Sequence, residues 1–174
     1  MSAETMAGLL NACGRSNNEG VGLALTLGDP SAMEEARALR RIYTDEVQAS
    51  LRKIVASGIT QMENIQYFFN DNLGLSGILS GVTMQYFGDR GKPTLALAES
   101  GDDIKVSSRG TFDILESGVD LAAALRECGQ KVGGVGGGHR IASGATVPKG
   151  REMEFLELVD KMVGEQKALK KDAG

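Results

Sequence analysis

The residue types best suited to chemistry stand together in Gly133-Gly134-Val135-Gly136-Gly137-Gly138-His139-Arg140. Five glycines in the six positions 133–138 leave backbone N–H groups able to turn toward one point, because no Cβ blocks positive φ or the close approach of a ligand. Such a run suits an anion. His139 and Arg140 follow directly, and both donate to phosphate oxygens, the guanidinium in bidentate fashion. The dinucleotide fingerprint does not fit: counting from Gly134 the sixth position is His139, and the run follows a helical pattern rather than a strand. A P-loop does not fit either, since no Gly-Lys-Ser/Thr occurs. The spacing predicts a glycine nest leading into a strand of small residues, Ala142-Ser143-Gly144-Ala145, with Gly136, Gly137, Gly138, His139 and Arg140 around a phosphate. The plain alternative is a tight turn whose His is hydrogen-bonded locally. Glycines, His and Arg in one run favour the phosphate.

A second segment, Lys105-Val106-Ser107-Ser108-Arg109-Gly110-Thr111, begins as a strand and ends in small hydroxyl residues around one Arg. Ser107, Ser108 and Arg109 form a set suited to gripping phosphate through hydroxyls, backbone and guanidinium; taken by themselves they read as an ordinary polar strand end. The adjacent carboxylates Asp102-Asp103 follow Ser100-Gly101 and read as a solvated hairpin turn rather than a metal site. One His in the chain, with Cys13 and Cys128 far apart, gives neither zinc spacing nor a disulfide framework. At most one imidazole is left for acid–base work.

Composition narrows the classes further. The 24 glycines among 174 residues have no fixed period and come with only 3 prolines, which excludes collagen-like and low-complexity readings. A net charge of -4 opposes a protein that coats nucleic acid through overall charge, so phosphate contacts must be a local patch. No apolar run nears the roughly 20 residues of a membrane span, and the N-terminus lacks the basic-then-apolar order of a signal peptide. A soluble, cytoplasmic protein in a reducing compartment, with no membrane partner, is the expectation.

The elements that must position these residues follow from periodicity. Residues 3–14 read as a helix with Met6, Leu9, Leu10 and Cys13 on one side, stopped by Gly14. Asp29-Pro30-Ser31 breaks the chain, and Ser31-Ala32-Met33-Glu34 fits a capping box that opens a long helix ending near Gly58. A strand at 64–70, a helix at 76–87, two strands at 94–98 and 104–108, and the helix Asp120–Cys128 closed by Gly129 come next. A strand near 141–147 and an amphipathic helix over 151–167 complete the chain, with 167–174 read as a frayed tail. Strands interleaved with helices predict an α/β fold with a mixed β-sheet flanked by helices, preceded by a long connector helix and a short helical remnant of an upstream domain.

These residues carry a resemblance. The ending GGVGGGHRIASGATVP, the strand KVSSRGT and the helix ESGVDLAAALREC resemble the DHH-associated domain that follows the catalytic DHH domain in RecJ-like exonucleases, most closely the archaeal group that includes the GINS-associated nuclease. LLNACGR at 9–15 is similar to the segment closing the DHH part. The resemblance implies three parts: 1–30, a remnant of the DHH domain; 31–57, the connector; and 58–174, the nucleic-acid-binding domain. It implies phosphate contacts by Gly136, Gly137, Gly138 and His139, by Ser107 and Arg109, and by Asn11 and Arg15. It also implies Mn or Mg in the DHH domain and no cofactor here, because the aspartates and histidines of the DHH motif have no counterpart in this chain. Single-stranded nucleic acid, DNA ahead of RNA, the upstream DHH domain and GINS are the implied partners. Two alternatives stand beside the exonuclease domain: part of a nano-RNase or cyclic-dinucleotide phosphodiesterase, and a replication scaffold that binds GINS.

Overall fold

The computed structural model describes residues 2–172, and the chain divides into two compact units, residues 1–49 and 50–174. In the first unit, α1 (Ala3–Arg15) starts where the Ser2 hydroxyl accepts from Thr5 N–H at 3.2 Å. It runs through Gly14, where the sequence placed its end. The apolar stretch after residue 18 is a second helix, α2 (Glu19–Thr26). Leu9 and Cys13 pack against Leu25, Ala32 and Ala36 in a small core.

The long helix α3 (Pro30–Ser57) opens differently from the expected capping box. Asp29 Oδ1 accepts from the Ser31 N–H at 2.9 Å and from its hydroxyl at 2.7 Å, and Pro30 takes the first helical position, where a missing N–H costs nothing. The carboxyl of Asp29 is held below its usual range mainly by the Ser31 hydroxyl. Gly58 ends the helix as expected: at φ 86° it adopts the left-handed conformation, and its N–H reaches Ile54 O at 2.9 Å.

The second unit is a mixed sheet of β1 (Thr60–Gln61), β2 (Gln66–Phe69), β3 (Thr94–Ser100), β4 (Asp103–Arg109), β5 (Val135–His139) and β6 (Ala142–Pro148), in the order β1-β2-β3-β4-β6-β5. Only β2 and β3 run parallel. Helices α4 (Ser76–Tyr86), α5 (Phe112–Glu116), α6 (Leu121–Lys131) and α7 (Glu152–Asp172), with a 3-10 turn at Leu73–Leu75, complete it. Burial alternates along β4 and β6 with a period of two, as strands with one covered face require. Ile104, Val106, Ala145 and Val147 point into a core closed by Leu121 and Leu125 of α6 and by Phe155, Leu156 and Val159 of α7. The opposite face carries α4, which packs on β3 and β4 and, among the described residues of this unit, does not extend over β6 and β5. The helix α7 continues to Asp172 through most of the stretch read as frayed; Ala173 and Gly174 lie outside the described residues.

Candidate nucleic-acid interface

The glycine run is a strand. Residues 135–139 pair antiparallel with β6 through a two-residue turn, Arg140–Ile141, so the expected nest becomes the edge of the sheet. Sequence could not show this, because glycine is among the poorest strand formers and the pairing comes from β6. The glycines are needed for contact and conformation. A Cβ on Gly136 would collide with Leu125 O of α6, and one on Gly138 would lie 2.8 Å from both Ala142 O and Ser143 Cα. Gly138 also sits at φ 137°, which side-chain-bearing residues avoid. Gly129, expected to close α6, instead lies inside it and buried, since a Cβ would come 3.1 Å from the Val135 carbonyl carbon.

Register brings the two segments expected at phosphate to one surface. Arg109 pairs with Ala142, and Ala142 with His139; Ser107 pairs with Gly144, and Gly144 with Gly137. Directly paired residues share a face, so Arg109, Ser107 and His139 lie on the open face of β4, β6 and β5. Arg109 is half-buried against α4, where a Cβ on Gly77 would lie 3.0 Å from its Nη2 and one on Gly81 3.9 Å from its Cγ. Its Nη1 donates to Ser108 O at 2.8 Å. The two glycines, four residues apart, leave the room in which the guanidinium lies. His139 is exposed, and its carbonyl accepts from the Ser143 hydroxyl at 2.6 Å.

Four expected residues are placed elsewhere. Ser108 turns into the opposite, covered face, is fully buried, and donates to Ser143 O at 3.1 Å, so its hydroxyl is not part of the open face. Arg140 occupies the β5–β6 turn and pairs with Asp120 at 3.2 Å, the residue whose carboxylate caps α6 by accepting from Ala123 N–H at 3.0 Å. Arg140 thus braces the start of a helix. Asn11 and Arg15 lie four residues apart on α1, both exposed, in the first unit.

Lys105 escaped the sequence reading although it lies in the quoted segment. It shares the open face with Ser107 and Arg109 at alternate positions of β4, and its ammonium donates to Thr146 Oγ1 at 2.8 Å. The signal available was the period of two. Away from this face, burial pushes the Cys128 thiol of α6 up to about 11, which keeps it protonated and unreactive at neutral pH. Among the described residues no three His, Cys, Asp or Glu side chains group to hold a metal ion. The residues present therefore do not fit the Mn or Mg expected for a DHH site.

A model of the DHHA1 domain matches residues 64–165. The protein MJ0831 of Methanocaldococcus jannaschii is 32% identical over 158 residues, covering 91% of this chain and 34% of its own length. RecJ of Thermus thermophilus, solved with Mn2+, superposes with a TM-score of 0.73 at 19% identity over 91% of this chain and 24% of its own. The pGpG-specific phosphodiesterase PggH of Vibrio cholerae gives 0.50 at 11% identity, over 75% of this chain and 43% of its own. The chain thus spans about a third of MJ0831 and a quarter of RecJ, and the likeness to the two solved structures is one of fold.

Proposed function

The chain belongs to the DHHA1 domain family, and from that premise we propose that the open face of β4, β6 and β5 binds the phosphate backbone of single-stranded nucleic acid for a metal-dependent DHH domain, in the manner of a RecJ-like exonuclease. The observation that carries the reading is the register that sets Arg109 and His139 in one cross-strand row, with Ser107 in the next. A guanidinium, an imidazole and a hydroxyl on one side of a sheet, over strand positions lacking side chains, complement a phosphate rather than a base. In this reading residues 1–30 close the DHH part, 31–57 connect it, and 58–174 hold substrate; Asn11 and Arg15 contact it from the DHH side. With few aromatics, 5 Phe and 3 Tyr without Trp, recognition is directed at the backbone and tolerant of sequence.

Equilibrium titration of a labelled single-stranded DNA oligonucleotide tests the reading. Affinity should be weak, with a log–log salt slope of about -1.4 to -2.8 for two to four phosphates neutralised. Arg109→Ala should abolish most of it while leaving the melting temperature unchanged. Equal binding by Arg109→Ala would overturn the site. The chain should not hydrolyse single strands with Mn or Mg. Metal-dependent cleavage that follows the protein through purification and vanishes in Arg109→Ala would overturn the division of labour with a DHH domain. The fold shared with PggH supports a second reading, a domain serving a phosphodiesterase of dinucleotide-sized substrates, and competition between pGpG and longer strands separates the two.

A further inference from the structure

Four residues before Arg109 on the same face of β4, Lys105 lines a cleft of about 420 Å³ with Ser107, Thr146, Gly144, Val135 and Leu73. Its row runs from Lys105 through Thr146 to Val135. Among the described residues the ammonium meets no carboxylate; its bond to Thr146 Oγ1 joins a cation to a neutral hydroxyl. In a chain of net charge -4, where Lys149 and Arg151 just beyond β6 have acidic partners, a lysine with no carboxylate partner in a surface depression is available to an anionic ligand.

The rest of the cleft suits the parts of a nucleotide between two phosphates. Gly144 and Gly136 contribute bare main chain to its floor. Val106 and Ala145 border the same space with their side chains turned into the core. Leu73 and Val135 stand at the walls, 43% and 67% exposed, and offer apolar surface to a base or sugar. Lys105 and Arg109 are four strand residues apart, about 13 Å at roughly 3.3 Å per residue. That is the span of about two phosphodiester repeats of an extended strand.

We propose that this cleft is a second nucleotide subsite: Lys105 and Thr146 hold a phosphate about two repeats from the one at Arg109 and His139, with Leu73 and Val135 flanking the nucleotide there. The ligand class is a single-stranded oligonucleotide of trinucleotide length or more, because Lys105 and Arg109 are about 13 Å apart along one strand and are reached together only by a chain of that length. The proposal rests on the phosphate reading of the Arg109 row.

The whole chain is titrated with single-stranded deoxyoligonucleotides, from a 5′-mononucleotide to a pentamer, across salt concentrations. Affinity should rise several-fold on reaching the trimer and then level off. Lys105→Met keeps the aliphatic stem, should remove that rise, and should flatten the salt slope for the trimer by about 0.7, the loss of one phosphate contact. Mononucleotide binding should be unchanged, and Lys105→Arg should restore the rise. A rise that survives Lys105→Met, or an equal loss for the mononucleotide, would overturn the subsite while leaving the Arg109 site standing. Absence of binding at every length, or binding indifferent to Arg109→Ala, would overturn the phosphate reading and the subsite together.

Discussion

Ser107 and Ser108 are neighbours on β4, yet one lies on the open face with Lys105 and Arg109 while the other is fully buried and bonded to Ser143 O. The same division runs through β6, where Thr146 faces the cleft and Ala145 and Val147 face the core. One face of these strands keeps the fold together, and the other carries the residues proposed to meet phosphate. Because strand residues alternate faces, substitutions one position apart should separate stability from binding.

The largest effect belongs to the covered face. Phe155 is fully buried among core residues, and Phe155→Ala should cost about 3–5 kcal/mol in urea denaturation. A much smaller loss would mean that α7 is not what closes this face. The two serines give the sharper test. Ser108→Ala should lower stability by about 1 kcal/mol with binding intact, whereas Ser107→Ala should weaken oligonucleotide binding and leave the melt unchanged. Reversed outcomes would break the assignment of faces.

The helix over the open face allows a smaller discrimination. Gly81→Ala replaces a mid-helix glycine where the new Cβ makes ordinary contact with Arg109 Cγ, so it should stabilise the protein by up to about 1 kcal/mol and spare binding. Gly77→Ala puts its Cβ 3.0 Å from Nη2 and should displace the guanidinium, weakening binding several-fold without loss of stability. Equal binding by the two variants would show that the room left by Gly77 does not set the guanidinium's position. The smallest effect comes from Cys128. With its folded value pushed up to about 11 by burial, the unfolded chain loses the thiol proton first. Stability is fully present below about pH 9 and declines as pH rises toward 11. Cys128→Ala should flatten that decline in a pH series of thermal melts.

The hairpin of β3 and β4, the body of helix α6 and helix α7 were legible in the sequence because their periodicity agrees with their tertiary settings. The start of α6 lies within one residue of its expected place, and there the Asp120 carboxylate accepts from Ala123 N–H. The pairing of the two phosphate segments was hidden, because it depends on β6 lying between β4 and β5, an arrangement no local pattern encodes. Gly129 misled for a related reason: it resembles a helix terminator, but its lack of a side chain serves the close passage of β5. Ser31 misled because Asp29, two residues earlier, competes for the same N-terminal amides. Arg140 was expected at the phosphate from its neighbour His139, and a turn that sends it to Asp120 overrode adjacency.

The Arg140–Ile141 turn also bears on how this fold can vary in length. Its two carbonyls are both engaged, Arg140 O accepting from Leu121 N–H at 3.0 Å and Ile141 O from Gly110 N–H at 2.9 Å. The tip of this hairpin is thereby spliced to the start of α6 and the end of β4. Surface turns usually absorb inserted residues, but extra chain here would detach three segments at once. Relatives that lengthen this domain are expected to do so elsewhere, leaving this turn at two residues even where the flanking sequence has diverged.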